Sequence, residues 1–324
     1  MISSECILGR AVLVAFLVGG LASDRSGWAE SPQVAREQTE KITNGSVTVG
    51  VDPEKGGSIT WLSWKGYPQN VVNIADPGRL IQQSYYAGAS LDRTAEGQHR
   101  AWSPWVWNPI QGGGVGSWAQ GTRLTRTKGN SIETETIPKL WDMPDEEAAA
   151  LMRQRTGFEP GMPAVVVVEC EFESRRTPGD RWGGPVPRHQ ELPACYFTRV
   201  FEHVRSYLGG GKWRNEQQPP GPPWGRSEPP RKAMACFTAA GDGIAVFCPA
   251  ATARWNFGPH GGGLSKNPGD GPCIHVAPLA TVSLGPTSTV RFRYWLIMGT
   301  AAGIARDLDA LWEKHGDERL QVTP

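Results

Sequence analysis

Neither sign of charge is in excess in this 324-residue sequence: 33 lysines and arginines stand against 32 aspartates and glutamates, a net charge of +1 with histidines neutral. No long basic or acidic block breaks that balance, which argues against nucleic acid as the main partner. Cysteine is scarce, six in all, and no CxxC or HExxH spacing occurs, so a dedicated zinc site is not expected. A P-loop, a dinucleotide fingerprint and a nucleophile elbow are all missing, and "GVGSWAQG" lacks the strand-to-helix setting of a nucleotide loop. No cofactor is implied. Long hydrophobic runs are missing too, with the exception of "AVLVAFLVGGLA" (Ala11–Ala22), which is too short to span a bilayer comfortably.

That run follows Arg10 and precedes polar residues, and Gly27 and Ala29 place small side chains three and one before Glu30. This is the pattern of a secretory signal peptide over residues 1–29, with a second candidate cut after Ala22. The expectation is a secreted or periplasmic protein with no membrane contact once the signal is cleaved. Cys6 does not end the apolar run, so it does not read as a lipid-attachment site. Residues 30–45 read as a flexible lead-in and 46–324 as one domain. About 295 residues remain after cleavage, enough for a sizeable core. They keep five cysteines, Cys170, Cys195, Cys236, Cys248 and Cys273, an odd number. Cys236 with Cys248, across a tight turn, and Cys170 with Cys195, on neighbouring strands, are candidate pairs; buried free thiols are the alternative.

Glycine, proline and tryptophan are abundant: 40, 27 and 14 residues. With short apolar runs between them, they point to strands joined by many turns rather than to a helical bundle. "SVTVGVD" and "SITWLSW" alternate like strands about a "PEKGG" loop, and "TRLTRTKGNSIETETIP" reads as a hairpin. "AVVVVECEFESR", "ACYFTRVFEHVRSYL", "HVAPLATVSL" and "TVRFRYWLIMG" are further strands, and "AMACFTAAGDGIAVFCPA" turns at "GDG". Two helices are expected. In "DMPDEEAAALMRQRTG", Asp142 is placed to cap, acids fill the first turn and Arg153 and Arg155 the last. In "IARDLDALWEKHG", Ile304, Leu308, Leu311 and Trp312 share one face. "GGGKWRNEQQPPGPPWGRSEPPRK" reads as an exposed loop with polyproline character. The fold class is all-β: a large antiparallel two-sheet sandwich, supersandwich-like, with long loops and few short helices.

"VTVGVDPEKGGSITWLSWKGYPQNVVNIADPGR" resembles the opening strands of the galactose-mutarotase-like supersandwich. "AAGDGIAVFCPA…WNFGPHGGG" and "HVAPLATVSL…FRYWLIMGTAAGIARDL" resemble the closing strands of sandwich domains in secreted carbohydrate-active proteins. The likeness covers the first and last thirds of the chain after the signal. Mutarotases use a histidine acid and a glutamate base; the resemblance implies a sugar-handling fold rather than a particular reaction.

Three stretches carry candidate chemistry. "WSPWVWNPIQG" sets Trp102, Trp105 and Trp107 beside Asn108 and Gln111. Indole faces suit the C–H faces of sugar rings, and amides suit their hydroxyls; the other reading is a plug at the end of the core. "DPGRLIQQSYYAG" gathers Arg79, Gln82, Gln83, Tyr85 and Tyr86, which suits a hydroxylated or acidic sugar, or else a solvated edge strand. One groove formed by both is expected. In "VVVVECEFESR", Glu169, Glu171 and Glu173 share a face, with neighbours about 7 Å apart. If that strand pairs with "CYFTRVFEHVR", Arg199 and His203 join them, and Glu169, Glu171 and His203 become acid and base candidates for glycosidic hydrolysis or elimination. Cross-strand ion pairs on a solvated face are the alternative. His260, among glycines, is a weaker binding candidate. The expected partner is an oligo- or polysaccharide. A non-catalytic sugar-binding module and a mutarotase-type epimerase remain the alternatives to a hydrolase or lyase.

Overall fold

The computed structural model describes residues 39–324 apart from residues 121, 128, 129 and 144. The expected signal peptide lies outside the described residues. Within the segment expected as a lead-in, Glu40–Thr43 pairs antiparallel with Val47–Asp52, and residues 30–38 of it lie outside the described residues.

Two large antiparallel sheets face each other, as the alternating patterns predict. The first has ten strands. Its spatial order runs Arg123–Thr127, Ser131–Thr136, Ala150–Phe158, Val165–Ser174, Thr289–Thr300, Asp242–Phe247, Ala233–Phe237, His203–Gly209, Lys212–Asn215, with Gln321–Thr323 also on Thr289–Thr300. The second has seven: Lys139–Leu140, Pro109–Ile110, Gln82–Ser84, Pro187–Thr198, Cys273–Ser283, Trp255–His260, Gly225–Ser227. A three-stranded sheet, Glu40–Thr43, Val47–Asp52 and Ser58–Trp64, contributes Val49, Val51, Ile59 and Leu62 to the same core. Strand alternation sends Val166, Val168, Cys170 and Phe172 inward from the first sheet to meet Cys195, Phe197, Trp255, Ile274 and Val276 of the second.

The turn at "PEKGG" shows how local chemistry closes a hairpin. Asp52 accepts from Glu54 N at 2.9 Å and caps the short 3-10 turn Pro53–Lys55. Gly56 follows at φ 66°, where an added Cβ would sit 1.8 Å from the carbonyl oxygen of Gln111. Only glycine meets both demands.

The C-terminal helix forms as expected, Ala301–His315. Its buried Ile304, Leu308 and Leu311 pack on the outer face of the ten-stranded sheet against Phe247, Trp295 and Ile297. The other expected helix is a strand, Ala150–Phe158. Its Met152, Gln154 and Thr156 are buried while Arg153 points out, and hydrogen-bonding strands flank it on both sides. Two ladders and an inward face outweigh capping signals worth a fraction of a kcal/mol each.

The pairing expected for the glutamate strand is also corrected. Val165–Ser174 pairs with Ala150–Phe158 and Thr289–Thr300. "ACYFTRVFEHVRSYL" divides between the sheets: Pro187–Thr198 lies in the second, and His203–Gly209 stands four strands from Val165–Ser174 in the first, roughly 19 Å away at ~4.8 Å per strand. All five cysteines among the described residues are buried and free. The free-thiol alternative therefore holds among them, and burial pushes the thiols up, Cys236 well above the ordinary value and Cys248 and Cys273 to about 12.

Candidate functional site

The two outer faces of the sandwich carry different chemistry. On the ten-stranded sheet, the glutamates of Val165–Ser174 meet arginines from neighbouring strands. Arg153 contacts Glu135 at 2.8 Å and Glu171 at 2.6 Å; Arg291 contacts Glu171 at 2.6 Å; Arg155 and Arg293 reach Glu169 at 3.5 and 3.9 Å. This lattice floors an open depression of about 730 Å³. Hydrogen bonds from Arg291 and Arg153 hold the Glu171 carboxyl below its ordinary value. A carboxylate so neutralised is a poor proton donor near neutrality. Glu169 and Glu171 are ion-pair members here, and His203 is not with them. His203 lies beside Arg199 in a separate cavity of about 440 Å³, where Arg199 pairs with Glu202 at 3.3 Å.

The lattice predicts an acid response. The Glu171 and Glu173 carboxyls are both depressed on folding, Glu173 mainly by Arg175. Their contribution is present above the unfolded value near ~4.3 and is lost as pH falls through the lower folded value. Glu171→Gln should cost less than about 1 kcal/mol near neutrality, leave turnover unchanged and flatten the acid loss. Chemical denaturation across the acid range measures all but turnover; a large loss of turnover would restore Glu171 to the chemistry.

On the seven-stranded sheet, the outward positions of neighbouring strands bring together residues distant in the chain. Register opposes Tyr196 to His275, and Glu191 to both Ser84 and Leu279. Glu191 Oε1 is 3.4 Å from His275 Nε2, and its Oε2 accepts the Tyr86 hydroxyl at 3.2 Å. The His275 Nδ1 faces the carbonyl oxygen of Cys195 at 3.3 Å. A carbonyl only accepts, so the partners place a proton on Nδ1. Nε2 has no hydrogen-bond partner among the described residues and attracts Glu191 only when it also carries a proton. Tyr196 and Trp224 cover the imidazole, with ring centroids 4.4 and 4.5 Å away. Burial pushes the Glu191 carboxyl up, but His275, Ser84 and Tyr86 outweigh it and leave it below the ordinary value. Burial and the Glu191 charge push the Tyr86 phenol well up, so it stays protonated.

Glu191 and Tyr86 open onto a cavity of about 330 Å³, also lined by Trp105, Arg188, His189 and Asn256. Glu191 is the one carboxylate among its lining residues. Among the described residues, no group of three or more His, Cys, Asp or Glu is placed to hold a metal, and no helix is long and apolar enough to cross a membrane.

Of the expected groove, Tyr86 and Trp105 reach this cavity. Trp102 stands half-buried beside it, edge-on to Trp105 at 5.1 Å. The remainder, Arg79 apart, is interior. Tyr85 is fully buried, stacked on Phe172 at 4.0 Å, and its hydroxyl donates to Gln83 Oε1 at 3.0 Å. Gln111 Oε1 accepts from Gln83 N at 3.0 Å, and Asn108 Nδ2 donates to Tyr85 O at 2.7 Å. Gln82 Nε2 donates to Gly78 O, and Trp107 is buried in the core near Phe172. These amides satisfy backbone groups where short strands end, so the hydrogen-bonding capacity of "WNPIQG" faces the protein and not a ligand. Arg79 pairs with Asp76 at 3.6 Å and lies over the Trp141 ring. His260 stands 6.1 Å from the Trp224 ring, its Nδ1 buried without a hydrogen-bond partner among the described residues.

Sequence reading missed Glu191, His275, Arg188, His189 and Trp224. A lone histidine in the apolar strand "CIHVAP" was the available signal; Glu191 and Trp224 had none.

No protein-family profile and no curated protein matches the chain. Among solved structures, it is similar to a candidate aldose 1-epimerase from Escherichia coli K12, with 10% identity, 81% of this chain and 99% of the other covered, and a TM-score of 0.46. A second candidate aldose 1-epimerase, from Klebsiella pneumoniae, matches at 10% identity over 84% and 82% with a TM-score of 0.45. An alpha-N-acetylgalactosaminidase from Bifidobacterium bifidum matches at 11% over 86% of this chain, which spans 39% of that larger one, with a TM-score of 0.46.

Proposed function

We propose that the protein is a carbohydrate-active enzyme, exported by its N-terminal apolar segment, that acts on an oligo- or polysaccharide by proton transfer at Glu191. The observation that carries this reading is the single carboxylate at the cavity, hydrogen-bonded by the Tyr86 phenol and paired with His275. Glu191, ionised, is suited to take a proton from the bound sugar, and Tyr86, protonated, to give one to a departing oxygen. Trp105 offers a face for a sugar ring, and Asn256 an amide for its hydroxyls. Hydrolysis by the usual pair of carboxylates needs a second acid across the bond, which this cavity lacks among the described residues. Elimination needs a base to take a C–H proton acidified by a neighbouring carboxylate of the sugar, and a donor to protonate the glycosidic oxygen as its bond to carbon breaks and the double bond forms. A second reading, sugar epimerisation, is favoured by the 3.4 Å approach of His275 to Glu191, since it joins an imidazole and a carboxylate.

The test is a saccharide panel incubated with the protein and read for ultraviolet absorbance, reducing ends and optical rotation together. Absorbance with new ends means elimination, and a change of rotation without new ends means epimerisation; either supports proton transfer. New ends without absorbance, or silence throughout, overturns it.

A further inference from the structure

The arginines of the two faces are treated differently. On the ten-stranded sheet, Arg153, Arg155, Arg291 and Arg293 each meet a glutamate. Around the Glu191 cavity, Arg188, Arg226 and Arg254 meet no carboxylate among the described residues. Arg188 donates from one terminal nitrogen to Gly88 O at 2.8 Å, but its Nε is buried without a partner. The Nε of Arg254 is buried and unpartnered as well. Arg226 stands opposite Asn256, which lines the cavity. Arg254 stands two residues before Asn256, at the start of Trp255–His260, so extended backbone turns it to the face of Asn256 and Arg226, though neither arginine lines the cavity itself. Burial, then Arg254 and Arg226, push the neighbouring His189 imidazole down. A buried guanidinium donor without an acceptor is costly, and a cluster of unpaired like charges adds repulsion. The four arginines of the opposite sheet named above are answered by glutamates; here that demand is left open, and Arg188 lines the cavity.

We propose that the saccharide taken by this cavity is anionic, a uronate or sulfated sugar, and that Arg188 and Arg254, with Arg226 at the rim, bind its carboxylate or sulfate beside Glu191. The inference rests on the saccharide reading and deepens it by naming the substrate class. A planar guanidinium fork matches a carboxylate or sulfate edge. The arginines also offset the repulsion that an anionic ring would meet from Glu191, so their role is binding rather than proton transfer.

Calorimetry with the whole chain tests this. The probes are uronate oligosaccharides of several linkages, their carboxyl-reduced counterparts, and sulfated neutral oligosaccharides of the same length. At least one anionic probe should bind about tenfold tighter than its uncharged counterpart, and the arms separate carboxylate from sulfate. Arg188→Gln and Arg254→Gln should each weaken that probe about tenfold, the worth of a charge-assisted hydrogen bond, whereas Arg155→Gln on the opposite sheet should not. If a variant fails to fold, wild-type affinity against salt decides: a fall with salt supports the inference, and indifference overturns it. Uncharged probes binding as tightly as anionic ones, or folded arginine variants binding like wild type, also overturn it while leaving the saccharide reading intact. Absence of binding by every probe overturns the saccharide reading itself.

Discussion

Glu191→Gln should lower turnover by about 10²- to 10⁴-fold, the range for loss of a general base, while substrate affinity changes only a few-fold. The amide keeps the shape and can still accept the Tyr86 hydroxyl hydrogen bond, but it cannot take a proton. The wild-type rate should hold as pH falls from neutrality, because the Glu191 carboxyl lies below its ordinary value. It should decline only beneath ~4.3, the usual glutamate figure. The measurement is steady-state kinetics of wild type and variant on whichever saccharide the panel identifies, with the thermal midpoint as a fold control. Equal turnover by a folded Glu191→Gln would remove the carboxylate from the chemistry.

Trp107→Ala should be the most damaging of the tryptophan replacements in "WSPWVWNPIQG", costing about 3–5 kcal/mol of stability and lowering the midpoint by the order of 10 °C. Trp107 is 2% exposed, close to Phe172, which itself stacks on Tyr85. It has no route to a ligand, so saccharide affinity should be unchanged in whatever fraction remains folded. Trp105→Ala should behave in reverse: little change in midpoint and a marked loss of affinity, because this ring lines the cavity. Denaturation and calorimetry on the two variants separate a core role from a binding role within three residues of chain. Loss of affinity in both, with stability intact, would put the expected groove back on the surface.

The sandwich was legible because its cause is local. Alternation in "AVVVVECEFESR" fixes which side chains turn inward, and glycine at "PEKGG" meets a turn requirement present in the sequence itself. The C-terminal helix was legible for the same reason, its apolar stripe having helical period. The segment after Asp142 misled because its capping signals are genuine, yet the same residues alternate well enough to fill a gap between two strands. That gap is a tertiary fact. The site was legible in part: Tyr86 and Trp105 lie in polar–aromatic stretches that suggested a ligand. Glu191 and His275 become a pair only when Pro187–Thr198 and Cys273–Ser283 align, and nothing within either strand announces the other. The glutamates of Val165–Ser174 drew attention by spacing alone; what neutralises them comes from Ala150–Phe158 and Thr289–Thr300.

The buried thiols bear on how the chain can be handled. Five cysteines lie in the interior with no bond between them, so nothing in the described fold waits on an oxidant. The same thiols are silent to alkylating reagents while the sandwich is closed, and each is exposed when it opens. Their labelling rate is a built-in clock for the opening of the core, readable without adding a probe to the chain.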